Sequence, residues 1–400
     1  MRLLILSFYY PPDLGPGALR ARSIVDALID DSAQTTDPCF CIDVLTTKPN
    51  RYHSFSLNSI QKETSGNVRI HRYSMPMHRS GMLDQSFAFL FYAYAVWKKV
   101  KRKEYDIVIA TSSRLATATL GAYAANKCKA KLYLDIRDLF TDTIKDVYRN
   151  SPIVAMMPAF KWLERWTFNQ ADRINVVSPG FILHVLAVNP SIEPRVFTNG
   201  IDKEFILRNR SANTGNHSYT VVYAGNLGHG QGLHLILPLV AKKFEGLVTF
   251  RVFGDGGQRS ALLSKLIEIG VVNVEILNPI SRTDLIFEYS QADILFVHLN
   301  DHAAFRNVLP SKVFEYGATG KPILAGLSGH AAEFTRAYVN GAEVFRPCNA
   351  VEMEAKLRIL LAGPKYFDRS AFCEQFDRTE IMRKMADDIV DLGFERRKSR

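Results

Sequence analysis

Two glycine-rich segments have the composition of loops that bind phosphate groups. Residues 225–232 read GNLGHGQG and follow an apolar run, and FGDGG at 253–257 ends the next one. Glycine lets a backbone approach a ligand closely, and amides at a helix start attract anions. A plain strand-to-helix turn is the alternative for the second segment. The residues expected to contact an anionic ligand here are Gly225, Asn226, Gly228, Gln231, Gly254 and Asp255.

A third glycine pair follows the first apolar run of the chain. Gly15 and Gly17 flank Pro16 just ahead of a predicted helix. The helix N-terminus and the close backbone approach suit a phosphate. A tight turn explains the same three residues equally well, so both interpretations stay open.

The segment RNVLPSKVFEY, residues 306–316, combines a helix start with a charged pair. Pro310 and Ser311 predict the first helical position, which places Lys312 and Glu315 three residues apart on one face. A carboxylate there can accept two ribose hydroxyls, and a lysine near the helix start can meet a diphosphate. Arg306 and Asn307 precede this helix and are further candidates for donor contact. A surface ion pair is the alternative for Lys312 and Glu315.

Charged residues also close the apolar run 132–136, as LDIRDL. Ligands of open parallel sheets lie outside the carboxyl ends of the strands. Asp135, Arg137 and Asp138 are therefore expected to bind sugar hydroxyls or to orient an acceptor. Structural caps and ion pairs are the competing interpretation.

The elements that must position these residues alternate between apolar runs and helix-length segments in both halves of the chain. This βαβ pattern predicts an α/β protein with parallel sheets covered on both faces. At 400 residues, two Rossmann-like domains with a ligand cleft between them are expected. A polar stretch at 209–218 indicates the boundary between the domains, which we expect to span residues 1–205 and 206–375. Residues 376–400 are expected to form a C-terminal helix that packs back toward the first domain.

Charge and hydropathy point to a surface contact of the N-terminal half. Residues 1–200 contain 25 Lys and Arg against 17 Asp and Glu. The uncharged, aromatic-rich run 87–97 is followed by five cations within 98–103, which suits a helix lying on anionic lipid. A core helix with a solvated basic end is the alternative, and no signature supports nucleic acid. With no apolar run long enough to span a bilayer, we expect a cytoplasmic protein, peripheral on the inner membrane face.

Several motifs taken together resemble one enzyme family. YAGN with its glycine loop, FGDGG and PSKVFEYGATGKPIL are similar to the nucleotide-binding half of family 4 retaining glycosyltransferases with the GT-B fold. FYYPPDLGPGALR, LDIRDLFTD and TNGID resemble the subgroup that transfers N-acetylated amino sugars, such as L-fucosamine transferases of bacterial surface-polysaccharide synthesis. The resemblance implies transfer of such a sugar from a UDP-linked donor to a polyprenyl-diphosphate-linked acceptor, in O-antigen or capsule synthesis.

The resemblance also assigns roles to individual residues. It implies catalytic roles for Lys312, Glu315, Arg137 and Asp138, and neither a metal nor another cofactor, since no Asp-x-Asp pair is present. Asn307 stands where the family has a first glutamate, and Asn226 and Gln231 stand where it tends to have arginine and lysine. These departures leave a non-catalytic nucleotide-sugar-binding protein as an alternative. A sugar-nucleotide epimerase, which can share two Rossmann-like halves, is the other alternative.

Overall fold

A computed structural model describes residues 1–13, 15–34, 40–49, 59–75, 82–101, 103–147, 151–206 and 218–398. The chain forms two compact units. Residues 1–199 and 378–400 form the N-terminal unit, and Gly200–Asp377 forms the C-terminal unit. The chain therefore passes between units at 199/200 and 377/378, near the predicted divisions at 205/206 and 375/376. The polar stretch that suggested the first division lies, apart from its last residue, outside the described residues.

The N-terminal unit is built on an eight-stranded sheet. Its strands are β1 (Arg2–Ser7), β2 (Cys41–Thr47), β3 (Lys62–Ser65), β4 (Val68–Tyr73), β5 (Ile107–Ser112), β6 (Lys131–Ile136), β7 (Arg173–Val176) and β8 (Arg195–Val196). Its first six helices are α1 (Pro16–Gln34), α2 (Met82–Val100), α3 (Leu115–Cys128), α4 (Phe140–Val147), α5 (Met157–Asn169) and α6 (Ile182–Val188).

The strand order is β3-β4-β2-β1-β5-β6-β7-β8, and every pair is parallel except β3 with β4. The central strand β5 is buried along its whole length. Burial on both faces explains why such strands appear in the sequence as continuous apolar runs. Because β1, β5 and β6 run in the same direction, the residues that follow them meet at one edge of the sheet.

The C-terminal unit is built on a six-stranded parallel sheet in the order β11-β10-β9-β12-β13-β14. Its strands are β9 (Tyr219–Ala224), β10 (Val248–Phe253), β11 (Val274–Leu277), β12 (Ile294–His298), β13 (Ile323–Gly326) and β14 (Ala342–Phe345). Its helices are α7 (Leu233–Lys243), α8 (Arg259–Ile269), α9 (Arg282–Gln291), α10 (Ser311–Ala318), α11 (Gly329–Tyr338), α12 (Ala350–Ala362) and α13 (Ser370–Gln375). The chain order reverses between β9 and β12, which is where ligands of doubly wound sheets bind.

The last helix, α14 (Arg378–Lys398), belongs to the N-terminal unit. Met385 and Ile389 are fully buried in the same core as Ala21 and Leu28 of α1. Arg173 adds an ion pair to Asp388 at 2.5 Å. Apolar burial and charge together attach this helix to the sheet that the chain left 178 residues earlier.

A histidine between two carboxylates joins helices α4, α5 and α6. His184 Nδ1 lies 3.2 Å from Asp142 Oδ2, and its Nε2 lies 3.2 Å from Glu164 Oε2. The hydroxyl of Thr141 also donates to Glu164. Burial acts to lower the pKa of His184, but the two carboxylates outweigh it and raise this pKa to about 9. The imidazole is therefore charged at neutral pH.

We expect this histidine to make the stability of the protein depend on pH. Since its pKa is raised on folding, its contribution is complete below pH ~6.5, and it is lost as pH rises through about 9. The loss is on the order of 3 kcal/mol. Urea unfolding of the parent and of His184→Gln across this range measures it. If the free energy of unfolding changed with pH equally in the two proteins, His184 would not be the group responsible.

Candidate functional site

The glycine loop 225–232 lies at the carboxyl edge of the C-terminal sheet, directly after β9. The Leu227 amide donates to the Asp255 carbonyl at 2.9 Å, and the Gln258 amide donates to the Leu227 carbonyl at 2.7 Å. These bonds join the loop to the turn after β10. The structure thus brings together the two glycine segments that the sequence singled out.

Two glycines of the second segment make this contact sterically possible. A β-carbon on Gly254 would lie 1.9 Å from the carbonyl oxygen of Gly225, which no side chain can accommodate. Gly256 has φ +154°, and a β-carbon there would lie 2.7 Å from the Leu227 carbonyl. The FGDGG sequence therefore serves backbone-on-backbone packing, whatever ligand the loops bind.

Asn226 and Gln231 bind each other across the loop. The Asn226 amide Nδ2 donates to Gln231 Oε1 at 2.9 Å, and the Gly228 backbone amide donates to the same oxygen at 3.2 Å. Two neutral side chains therefore brace the loop at positions where the family tends to have cations. The positive potential for an anion must then come from backbone amides and from residues on other elements.

Two residues at the carboxyl end of β12 complete the support of the loop, and the sequence analysis missed both. His298 is 1% exposed, accepts from the Cys348 amide through Nε2 at 3.0 Å, and so donates through Nδ1 to the Gln231 carbonyl. Burial lowers its pKa to about 4, which keeps it neutral. Asn300 binds the carbonyls of His229 and Gly230 through its side chain and its backbone amide. Their position at the carboxyl end of a buried strand was the signal available in the sequence.

Helix α10 begins at Ser311, as the sequence predicted, and Pro310 is its N-cap. Lys312 Nζ lies 2.7 Å from Glu315 Oε2 and 3.3 Å from the Tyr289 hydroxyl. Glu315 is only 6% exposed. The pair is therefore not the surface ion pair that the sequence left open, because its carboxylate is buried and its ammonium lies at the boundary with solvent.

Tyr316 connects this helix to the start of the glycine loop. The Ala224 amide, one residue before Gly225, donates to the Tyr316 hydroxyl at 3.1 Å. The rings of Tyr316 and Tyr289 meet edge to face, with centroids 5.1 Å apart. Burial raises the pKa of both tyrosines well above the usual value, so their hydroxyls stay protonated. Lys312 and Glu315 are thereby held close to the loop.

Arg306 and Asn307 lie in the short 3-10 helix Ala303–Asn307, just ahead of α10. The Arg306 side chain is mostly exposed and 3.8 Å from Asp301, a weak pair. The backbone carbonyl oxygen of Arg306 lies close to Gly329, and a β-carbon on Gly329 would come within 2.4 Å of that oxygen. The side chain of Arg306 is thus able to change its conformation, while the backbone of residue 306 is packed against the start of α11.

In the N-terminal unit, the structure brings Gly17 and Arg137 together. A β-carbon on Gly17 would lie 2.2 Å from a guanidinium nitrogen of Arg137, so the arginine occupies the space that glycine leaves. Gly15 lies just before α1, and its carbonyl accepts from the Ala18 amide at 3.0 Å. Asp138 is exposed, two residues ahead of α4. Three of the strand-edge candidates, Gly15, Gly17 and Arg137, therefore belong to the carboxyl edge near α1.

Asp135 requires a correction. Its side chain is fully buried, and Arg20 binds it through Nε and Nη2, each at 2.8 Å. Thr111 and Asn175 donate to the same carboxylate. Burial acts to raise the pKa of Asp135, but Arg20 and these donors hold it below its usual value. The expected contact with a sugar is therefore wrong, because all four donors belong to the core of the unit and no part of the carboxylate reaches solvent.

Within the parts of the chain that the structure describes, no three His, Cys, Asp or Glu residues are grouped so that they could hold a metal ion. None of the helices in these described ranges has the length and hydropathy needed to cross a membrane.

The comparisons agree with this geometry. Residues 207–375 match the model of the family described as glycosyl transferases group 1. Alr3699/HepE from Anabaena, crystallised with UDP and glucose, superposes with a TM-score of 0.67 at 14% identity, covering 98% of this chain and 99% of that one. No curated protein sequence matches the chain significantly.

Two enzymes of lipopolysaccharide synthesis are also similar in fold. WaaG gives a TM-score of 0.62 at 14% identity, with 98% of both chains covered. The outer core galactosyltransferase WaaB gives 0.61 at 12% identity, covering 98% of this chain and 99% of that one. The protein thus has the α/β GT-B fold with two parallel-sheet domains, as predicted. Its segment 207–375 is the part that matches the group 1 glycosyl transferase model.

Proposed function

We propose that this protein is a retaining glycosyltransferase. It moves an N-acetylated amino sugar, L-fucosamine or a related one, from a UDP-linked donor to a polyprenyl-diphosphate-linked saccharide in O-antigen or capsule synthesis. The observation that carries the proposal is that α10, which holds the Lys312–Glu315 pair, is bonded through Tyr316 to the end of β9, where the glycine loop begins, within the segment that matches the glycosyltransferase model. The HepE structure, which contains UDP and glucose, supports a uridine nucleotide as the donor carrier.

In this proposal each element of the C-terminal unit has a task in holding the donor. The buried Glu315 carboxylate accepts hydrogen bonds from the two ribose hydroxyls. Lys312, Arg306 and the amides of the glycine loop face the diphosphate, joined by Ser311 and Asn307 at the start of α10. The neutral brace of Asn226 and Gln231 keeps the loop in shape. No metal ion or other cofactor is required, because cations and amides neutralise the leaving group.

The transfer itself is proposed to proceed on one face of the sugar. The bond between the anomeric carbon and the diphosphate oxygen breaks while the acceptor oxygen bonds to the same face of that carbon. The acceptor proton passes to the departing diphosphate oxygen, so no protein base is needed. Of the N-terminal unit, Gly15 and Gly17 bind the donor, and Arg137 and Asp138 bind the sugar or the acceptor.

The alternatives are separated by one incubation. With a UDP-sugar alone, an epimerase converts the sugar, a binding protein leaves it intact, and a transferase at most hydrolyses it slowly. With a lipid-linked saccharide added, only the transferase yields a glycosylated acceptor and UDP. Epimerisation of the sugar without an acceptor would refute the proposal. The absence of a glycosylated acceptor across a panel of donors and acceptors would also refute it.

Glu315→Ala is expected to weaken donor binding by roughly 1.5 to 3 kcal/mol, about 10- to 150-fold, because the ribose hydroxyls lose a charged acceptor. Isothermal calorimetry with a UDP-sugar measures the change. Glu333→Ala, an exposed glutamate on α11 of the same unit, is the matched control and should bind normally. Unchanged affinity of the Glu315 variant would remove the ribose role.

We further propose that the protein works at the inner face of the cell membrane, with residues 87–103 contacting anionic lipid. A lipid-linked acceptor requires such a location. Residue 102, one of the five cations of this segment, lies outside the described residues.

A further inference from the structure

A cavity of about 930 Å³ opens at the amino-terminal edge of the N-terminal sheet, opposite the edge that carries Gly17 and Arg137. Its walls come from the first residues of β1 and β2, from β4, and from the C-terminal ends of α2 and α3. The cations that line it are Arg2, Arg69, Lys101, Lys103, Lys127 and Lys129. Among the described residues that line the cavity, two carboxylates, Asp43 and Glu104, oppose these six charges.

The buried carboxylate fixes two of these cations in position. Asp43 is 1% exposed and pairs with Arg69 and Lys103, each at 2.8 Å, while Tyr105 donates to it at 2.7 Å. Burial and the charge of Lys103 also lower the pKa of Lys99, which lies beside the cavity wall on α2. The six cations and two carboxylates of the lining leave an excess of positive charge in the cavity, which a bound anion would offset.

The remaining cations surround the opening. Arg2, Lys101, Lys127 and Lys129 are exposed. Lys129 has φ +52° at the end of α3, a position where glycine is the usual residue. A charged side chain therefore replaces the residue that the backbone prefers.

An apolar stripe on α2 leads to this opening. Phe87, Leu90, Phe91 and Tyr94 are between 45% and 62% exposed, and their spacing places them on one helix face. The same face continues through Lys98 to Lys101, whose ammonium lies 3.9 Å above the Trp97 ring. Lys101 therefore belongs both to the stripe and to the lining of the cavity. A ligand with a phosphate joined to an apolar chain matches both features.

We propose that this cavity binds the phosphate headgroup of an anionic membrane lipid, while the stripe on α2 lies among the acyl chains. The inference rests on the membrane contact proposed above and adds a specific binding site for the lipid headgroup to that contact. It is independent of the donor site, since the cavity lies in the other unit and at the amino-terminal edge of its sheet.

The test uses sedimentation with vesicles of equimolar phosphatidylglycerol and phosphatidylcholine. The triple variant Lys101→Gln, Lys127→Gln, Lys129→Gly removes three exposed cations and leaves the Asp43 pairs intact. We expect it to bind these vesicles at least about tenfold more weakly, since each cation near an anionic surface contributes about 1 kcal/mol. The matched control, Lys145→Gln, Lys161→Gln, Lys384→Gln, removes the same charge from exposed positions elsewhere in the unit and should bind like the parent.

Three outcomes would overturn the proposal. Equal losses in the two triple variants would mean that only diffuse charge attracts the vesicles. A parent that never sediments would exclude the lipid surface. Binding of soluble glycerol phosphate to the parent, lost in the cavity variant while vesicle binding is unchanged, would identify a free phosphate as the ligand. Transfer to a water-soluble acceptor should be the same in parent and cavity variant, which keeps this test separate from that of the transferase activity.

Discussion

Lys312→Ala is expected to lower turnover by about 10² to 10³-fold while weakening donor binding much less. In the proposed transfer, negative charge on the leaving diphosphate grows in the transition state, so a cation facing it would stabilise that state more than the ground state. Lys312 suits this task because Glu315 and Tyr289 hold its ammonium at 2.7 and 3.3 Å, at the start of α10. Turnover measured at saturating donor, together with calorimetric affinity, gives the two values.

The control for this variant is Lys356→Ala. Lys356 also pairs with a glutamate at 2.7 Å in the same unit, but at the surface near α12 and β14. Its loss should leave turnover unchanged. Since removing Lys312 also leaves Glu315 without its cation, unfolding of both variants must be compared. Turnover equal to that of the parent would exclude Lys312 from the mechanism, and a matching drop in stability alone would make it a structural residue.

Asp135→Ala is expected to destabilise the N-terminal unit by about 3 to 5 kcal/mol. The substitution leaves the guanidinium of Arg20, which is 1% exposed, buried without a counter-charge. Arg20 also donates to the carbonyls of Phe197 and Thr198. If the arginine shifts, the segment just before residue 200, where the chain leaves this unit, loses its attachment as well. Urea unfolding monitored by circular dichroism measures the change.

A second ion pair involving α1 provides the comparison. Arg22 and Asp26 are 2.7 Å apart, with both side chains about half exposed. Asp26→Ala should cost less than about 1 kcal/mol, because exposed pairs contribute little. Equal costs for Asp26→Ala and Asp135→Ala would show that burial does not determine the importance of the Arg20 pair.

These contrasts show which features the sequence could predict. Continuous apolar runs such as those of β1 and β12 identify strands buried on both faces, and both runs form strands in the structure. β3, with the sequence KETS, has no apolar pattern and forms by pairing with β4 beyond a turn at Gly66. No local signal distinguishes such a strand from a loop.

The candidate site divides in the same way. The glycine segments and the start of α10 depend on local chemistry, which spacing along the chain reveals. The role of Asp135 depends on Arg20, 115 positions earlier, and that of His298 on Gln231, 67 positions earlier. A polar residue after a buried strand looks the same in the sequence whether it faces a ligand or holds another element. Tertiary contacts alone decide between these possibilities.

The position of α14 determines when each unit can finish folding during synthesis. Residues 200–377 leave the ribosome as one continuous stretch, with Ile201 and Asp377 paired at its two ends, so this unit can fold while translation continues. The other unit lacks Met385 and Ile389 from its core until the final helix has emerged. A nascent chain can therefore complete its inserted unit first, and the eight-stranded sheet remains partly uncovered until residues 378–398 have been synthesised.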